Sequence, residues 1–211
     1  MVWNSLEDVR NEALGCVKCG LHTGRTQVVW IDGNVDSDLM FIGEAPGFHE
    51  DRQGRPFVGA AGKLLDQMLA SIGLDRTQCT ICNVLKCRPP GNRNPLPVEI
   101  ETCNPYLEAQ IKFIDPQVIV TLGNFATRFM LKSQVPISRV RGQKFKHGRA
   151  TVIPTFHPAA VLHGGGAAKS PAMVAIRADF GLISETLEST RSAGQPVLGK
   201  AEAPIEQASL F

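Results

Sequence analysis

The stretch DLMFIGEAPGFHEDRQGRPFVGAAGKLLD, residues 38–66, holds the transition on which the fold turns. DLMFIG (38–43) is a short apolar run, the pattern of a buried strand. From Gly59 the period changes: Leu64, Leu65, Met68, Leu69 and Ile72 share one helical face, and Gly73 stops the helix. The intervening loop is rich in glycine and carries Glu44, Glu50, Asp51 and Phe57, with Pro56 and Gly59 flanking the ring. Such a loop raises the question of a phosphate cradle. A Walker loop needs G-x-x-x-x-G-K-[ST], but here GK (62–63) is followed by Leu64, and Phe57 stands at the first glycine. GEAPGF also lacks the G-x-G-x-x-G of a dinucleotide site. What remains is a fixed loop of backbone amides and carboxylates, with a flat ring able to stack on a flat ligand.

Outward from this stretch, strand and helix patterns alternate. NSLEDVRNEALG reads as a helix capped by Asn4 with Glu7 at the capping-box position. CTICNVL (79–85) reads as a strand, and KCRPPGNRNPLP (86–97) as irregular because four prolines remove donors. VEIETCNPYLEAQIKFI reads as a helix despite Pro105, QVIVTLG (117–123) as a strand and NFATRFML as a helix. VRGQKFKHGRATVIPTFHP suggests a hairpin turning at His147 and Gly148, and a last helix is expected over 172–187. This alternation predicts a three-layer α/β/α sandwich with a central, mainly parallel four-stranded sheet. One domain is expected to end near residue 187, with 188–211 a polar, aperiodic, disordered tail. Ligands of such sheets bind at the carboxyl ends of the strands, where the loops 43–58, 86–97 and 157–170 should converge.

The chain has 211 residues and a formal net charge of +2, which excludes a basic tail coating nucleic acid but leaves room for a local basic groove. There is no early apolar run flanked by basic residues and no stretch long enough to span a bilayer. A soluble cytoplasmic, nucleoid-associated protein is expected. Six cysteines in such a protein are more often metal ligands or buried thiols than disulfides. Cys79 and Cys82, three apart on a strand, should point to opposite faces and be buried thiols. Cys16 and Cys19 lie in a loop, GCVKCGLH, where both sulfurs can turn to one metal; Cys87 and Cys103 bracket the proline-rich segment.

Three segments in order, GEAPGFHEDRQGRPFVGAAGKLL, NVLKCRPPGNRNP and FHPAAVL, together with these cysteines, resemble the family-4 uracil-DNA glycosylases over roughly residues 10–187. The resemblance implies an enzyme that flips uracil out of DNA and hydrolyses its N-glycosidic bond, the opening step of base excision repair. It implies that Phe57 stacks on the base, that the Asn83 amide reads O4 and N3–H, and that Glu50 stands at the C5 edge where a thymine methyl would collide. His157 matches the donor to O2, with amides of the opening loop around Gly43 and Ala45 assisting. Ala45 stands where relatives with a GQDP motif carry the aspartate that orients water, so Glu44 is the nearest carboxylate for that role. Leu162 matches a wedge into the duplex, beside His163 where relatives often carry arginine. Lys86, Arg88, Arg93, Arg141 and Lys144 are candidates for a basic face on DNA phosphates. Cys16, Cys19, Cys87 and Cys103 match the ligands of a [4Fe–4S] cluster, although four-thiolate zinc uses the same ligands.

Each of these residues has a plainer reading alone: Asn83 a cap, His157 a turn histidine, Phe57 a core ring, Glu50 and Asp51 a solvated pair, the arginines ordinary surface charge. Their joint occurrence in three motifs favours the site. Two rivals remain: a relative that cross-links to uracil DNA through a histidine, and a non-catalytic iron–sulfur DNA-binding module assisting a polymerase. The first would need a histidine between Asn83 and Cys103, and there is none; the second would not need Phe57, Asn83 and His157. A monomer is expected. The terminal Gln207, Ser209, Leu210 and Phe211 are similar to the peptide by which bacterial proteins bind the sliding clamp.

Overall fold

Fully buried apolar strands need cover on both faces, and the computed structural model supplies it. Residues 3–163 and 169–194 are described. Four parallel strands form the centre: β2 (Leu39–Gly43), β3 (Thr80–Asn83), β4 (Val118–Leu122) and β6 (Ala150–Thr155). Two antiparallel edge strands, β1 (Asp32–Gly33) on β3 and β5 (Phe145–His147) on β6, extend the sheet to six in the order β1-β3-β2-β4-β6-β5. The expected four-stranded parallel sheet is therefore the core of a six-stranded mixed one. β1, only two residues long, leaves no period to read in the sequence; the hairpin at His147 and Gly148 forms as expected.

Strand alternation sorts the core into two layers. Leu39, Phe41, Val118, Val120 and Ile153 face α3 (Ala60–Ser71) and α8 (Pro171–Gly194). Met40, Ile42, Ile119 and Val152 face α4 (Pro97–Ile114) and α5 (Asn124–Leu131). Cys79 falls in the first layer and Cys82 in the second, both buried, as a strand with period two requires. α1 (Leu6–Leu14) packs on α4 through Val9, Ala13 and Tyr106.

Several boundaries differ from the expectations. The cap of α1 is Ser5, whose hydroxyl accepts from Asp8 N at 3.1 Å while the Asp8 carboxylate accepts from Ser5 N. Asn4 and Glu7 would have put the same box one residue early. The opening loop contains a short helix, α2 (Phe48–Gln53), closed by the left-handed Gly54. Pro97 begins α4, where its missing N–H costs nothing, and Pro105 lies inside the helix. α8 runs seven residues past its expected end at 187. Thr190 Oγ1 donates to Leu187 O and Arg191 reaches Asp38, so the polar sequence there continues the helix instead of beginning the tail. Gln207, Ser209, Leu210 and Phe211, and the glycine run 164–166, lie outside the described residues. No helix among the described residues is long and apolar enough to cross a membrane.

Candidate active site

The carboxyl ends of β2 and β3 lie side by side, with Gly43 in register with Asn83. Gly43 is small for a reason. A Cβ there would lie 2.3 Å from Asn83 Oδ1 and 2.6 Å from Phe57 Cζ, so amide and ring both close over this residue. Asn83 is 2 % exposed. Pairing continues past the strands, with Val84 N donating to Gly43 O and Leu85 N to Glu44 O, which fixes the first turn of the loop.

Glu50 closes that loop on itself. One carboxylate oxygen accepts from Gly47 N at 3.1 Å; the other accepts from Val58 N and Gly59 N at 2.9 and 3.0 Å. The loop ends on either side of Phe57 are thus tied to one side chain. Glu50 lines the cleft as expected, but it is also the loop's fastener. Asp51 is not a solvated partner to it: buried, it accepts from Thr26 N with both oxygens. Phe57 has a positive φ of 55° and is 5 % exposed, and its ring stacks on the His157 imidazole at 5.6 Å between centroids.

His157 follows β6 and is set by Gly123, whose Cβ would lie 2.9 Å from that of His157. Its Nδ1 accepts from Ala159 N at 3.2 Å, which leaves the ring proton on Nε2. Burial pushes its pKa down to about 4, opposed only by the Glu50 charge, so the imidazole is neutral at physiological pH. Glu44 moves the other way: burial raises its carboxyl to about 6.

Glu44, Ala45, Gly47, Glu50, Phe57, Asn83, Arg93, His157 and His163 line one open cleft of about 400 Å³. All three motifs therefore meet. Leu162 stands exposed on α7 (Pro158–His163) beside the cleft residue His163.

The expected basic face separates into different environments. Arg88 bonds Asn92 Oδ1 at 2.7 Å and lies over the exposed Phe48 ring, and Arg93 at the cleft forms a two-pronged pair with Glu99. Lys144 is exposed. Two residues do not belong to such a face. Lys86 is buried, its ammonium donating to Asn83 O at 2.5 Å and Gln110 Oε1 at 2.6 Å. Arg141 is tied to the buried Asp179 and to Ala175 O on α8, while Thr155 Oγ1 donates to the same carboxylate. It braces the end of β6, because leaving Asp179 unpaired under the sheet would be costly.

The sequence reading missed Gly62, Gly123, Arg25 and Arg76. Gly123 ends a strand directly before a helix, a local signal of a special backbone; Arg25 and Arg76 carry no such signal because their partners are distant in the chain.

A second, small cavity, of about 20 Å³, is lined by Cys16, Cys19, Cys87 and Cys103 along with Arg25, Lys86 and Tyr106. All four are free thiols. Arg25 Nη1 donates to Cys87 Sγ at 3.3 Å and Lys86 N to Cys103 Sγ at 3.4 Å, so cationic and N–H donors face the sulfurs. Among the described residues no three His, Cys, Asp or Glu side chains converge closely enough to hold a single metal ion. Four cysteines lining one cavity are the donor set of an iron–sulfur cluster and equally of a four-thiolate zinc.

Comparison with known proteins agrees with this geometry. Residues 31–181 match the family model of the Uracil DNA glycosylase superfamily. The chain is 50% identical over 167 residues to a type-4 uracil-DNA glycosylase of Archaeoglobus fulgidus, covering 75% of this chain and 84% of that protein. It is 48% identical over 169 residues to one of Sulfurisphaera tokodaii, covering 76% and 77%. A Saccharolobus solfataricus type-4 enzyme is 40% identical over 195 residues, 88% of both chains. A cleft of Gly43, Phe57, Asn83 and a neutral His157, in a sequence this close to those enzymes, makes the chain a member of the uracil-DNA glycosylase superfamily, in its type-4 branch.

Proposed function

We propose that the chain is a monofunctional uracil-DNA glycosylase that hydrolyses the bond between uracil N1 and deoxyribose C1′, initiating base excision repair. The observation that carries the reading is the meeting of Phe57, Asn83 and the Nε2–H of His157 in one cleft with Glu44. A base flipped into the cleft would stack on Phe57, and the Asn83 amide would donate to O4 and accept from N3–H. Cytosine presents the opposite pattern at these atoms and would leave the amide unpaired. As C1′–N1 breaks, positive charge develops on the sugar and negative charge on uracil O2. The neutral His157 donates from Nε2 to O2, an interaction stronger in the transition state than in the ground state. Because the imidazole stays neutral above about pH 4, it stabilises the anion by a hydrogen bond without delivering its proton. Glu44, ionised above about pH 6, orients the water whose oxygen bonds to C1′ and accepts the proton it loses. Uracil leaves as the anion and takes a proton from solvent.

Arg93 at the cleft and Arg88 near it in the same loop fit contacts to DNA phosphates, and the exposed Lys144 would add another; Leu162 fits the side chain that fills the vacated stack. The second cavity fits a [4Fe–4S] cluster on Cys16, Cys19, Cys87 and Cys103. Its role would be to cross-link the N-terminal segment, the 87–97 loop and α4 beside the DNA-binding edge; the hydrolysis requires no electron transfer. The terminal residues Gln207–Phe211 fit a tether to a sliding clamp, and the enzyme is read as a cytoplasmic monomer.

A uracil-containing oligonucleotide incubated with the protein and then treated with alkali should be cut at the uracil. A retained covalent adduct would instead favour the cross-linking relative, and an intact strand the non-catalytic module.

A further inference from the structure

Phe57 is the one aromatic residue of the cleft with a left-handed backbone, at φ 55°. A bulky side chain in that region is a genuine outlier, held only when its surroundings over-determine it. Glu50 holds the amides that follow Phe57, and one guanidinium holds the carbonyls of Pro56 and Phe57. Arg76, in the turn that leads into β3, donates from Nη2 to Phe57 O and from Nη1 to Pro56 O at 3.1 Å. The same side chain is fixed by Asp32 of β1 at 2.7 Å through Nη1 and by Asp66 of α3 at 2.6 Å through Nε. Three elements thus converge on the two carbonyls that flank the Phe57 Cα. Gly62 completes the clamp: a Cβ there would lie 1.7 Å from Phe57 O and 3.1 Å from Arg76 Nη2, so only glycine lets the carbonyl reach the guanidinium. A ring that merely filled the core would need no such rotation. What the left-handed turn achieves is to bring the ring edge over Gly43 and the ring onto His157.

We propose that Arg76 is a positioning residue for base excision: it holds Phe57 in the left-handed conformation that presents its ring to the flipped uracil. This rests on the reading of Phe57 as the stacking surface. Lysine would not replace it, because one ammonium cannot reach two carbonyls and two carboxylates in a plane.

The test is a double-mutant cycle between Arg76→Met and Phe57→Leu on the full chain. Its readouts are the single-turnover rate on uracil DNA and inhibition by free uracil, with thermal melting alongside. Phe57→Leu and Arg76→Met should each slow the reaction about tenfold or more, as expected for a misplaced contact. Each should also weaken inhibition by free uracil. In the Phe57→Leu background the arginine change should cost less than about twofold, since coupled residues are non-additive. Arg76→Lys should resemble Arg76→Met. If Arg76→Met does not fold, Asp66→Asn, at the solvent-exposed anchor, should show the same coupling at smaller scale. Additive losses, or a full rate in the arginine variants with a slow Phe57→Leu, would overturn the clamp alone. A full rate in Phe57→Leu would overturn the stacking role and the clamp with it.

Discussion

Gly43 shows how one missing methyl group shapes the cleft. A Cβ there meets Asn83 Oδ1 at 2.3 Å and Phe57 Cζ at 2.6 Å, and neither can withdraw far, the one ending a strand and the other packed against His157. Gly43→Ala should therefore force the amide or the ring aside, cost about 1–3 kcal/mol of stability and lower the single-turnover rate by about tenfold or more. Glu44 and His157 illustrate burial acting on opposite charges, raising the carboxyl to about 6 and lowering the imidazole to about 4. The rate should rise with pH through about 6 and then level, with His157 contributing no inflection above pH 5. Glu44→Gln should remove the inflection and most of the rate; a full rate would exclude the carboxylate as the water's partner. The folded pKa of Glu44 lies above its ordinary 4.5, so ionisation weakens the fold as pH rises through 6. At pH 8 Glu44→Gln should thus be more stable by up to about 2 kcal/mol, measured by denaturant unfolding.

At the scale of elements, the opening loop is held by side chains more than by its glycines. Glu50 accepts three backbone amides from two ends of the loop. Glu50→Gln would set an amide group against at least one of these donors. It should cost about 1–3 kcal/mol by thermal or denaturant unfolding and slow the reaction through Phe57. Helix and strand periods along the chain were legible wherever an element was long enough to show a period, as in α3, α4 and β4. They were not legible for the two-residue β1 or for the last turns of α8, which continue through polar residues because Thr190 and Arg191 find partners in the fold.

At the scale of the whole molecule, one hydrogen bond links the two cavities. Lys86, buried and lining the cysteine cavity, donates to the carbonyl of Asn83, whose side chain lines the cleft. The cysteine cavity also joins segments far apart in sequence. Freshly purified protein should be brown, with visible absorption; Cys103→Ser should lose the colour and melt at lower temperature. Colourless protein containing zinc would overturn the cluster reading. The order of the longer strands and helices and the meeting of three loops at one sheet edge could be read along the chain, because periodicity and strand polarity are local properties; Phe57, Asn83 and His157 stand out only through the resemblance of three motifs to a known family. The burial of Lys86 against Gln110, the pairing of Arg141 with Asp179 and the grip of Arg76 on Phe57 could not be read there. Each depends on a partner brought close only by folding, and a charged side chain far in sequence from its partner looks the same whether it ends in water or in an ion pair.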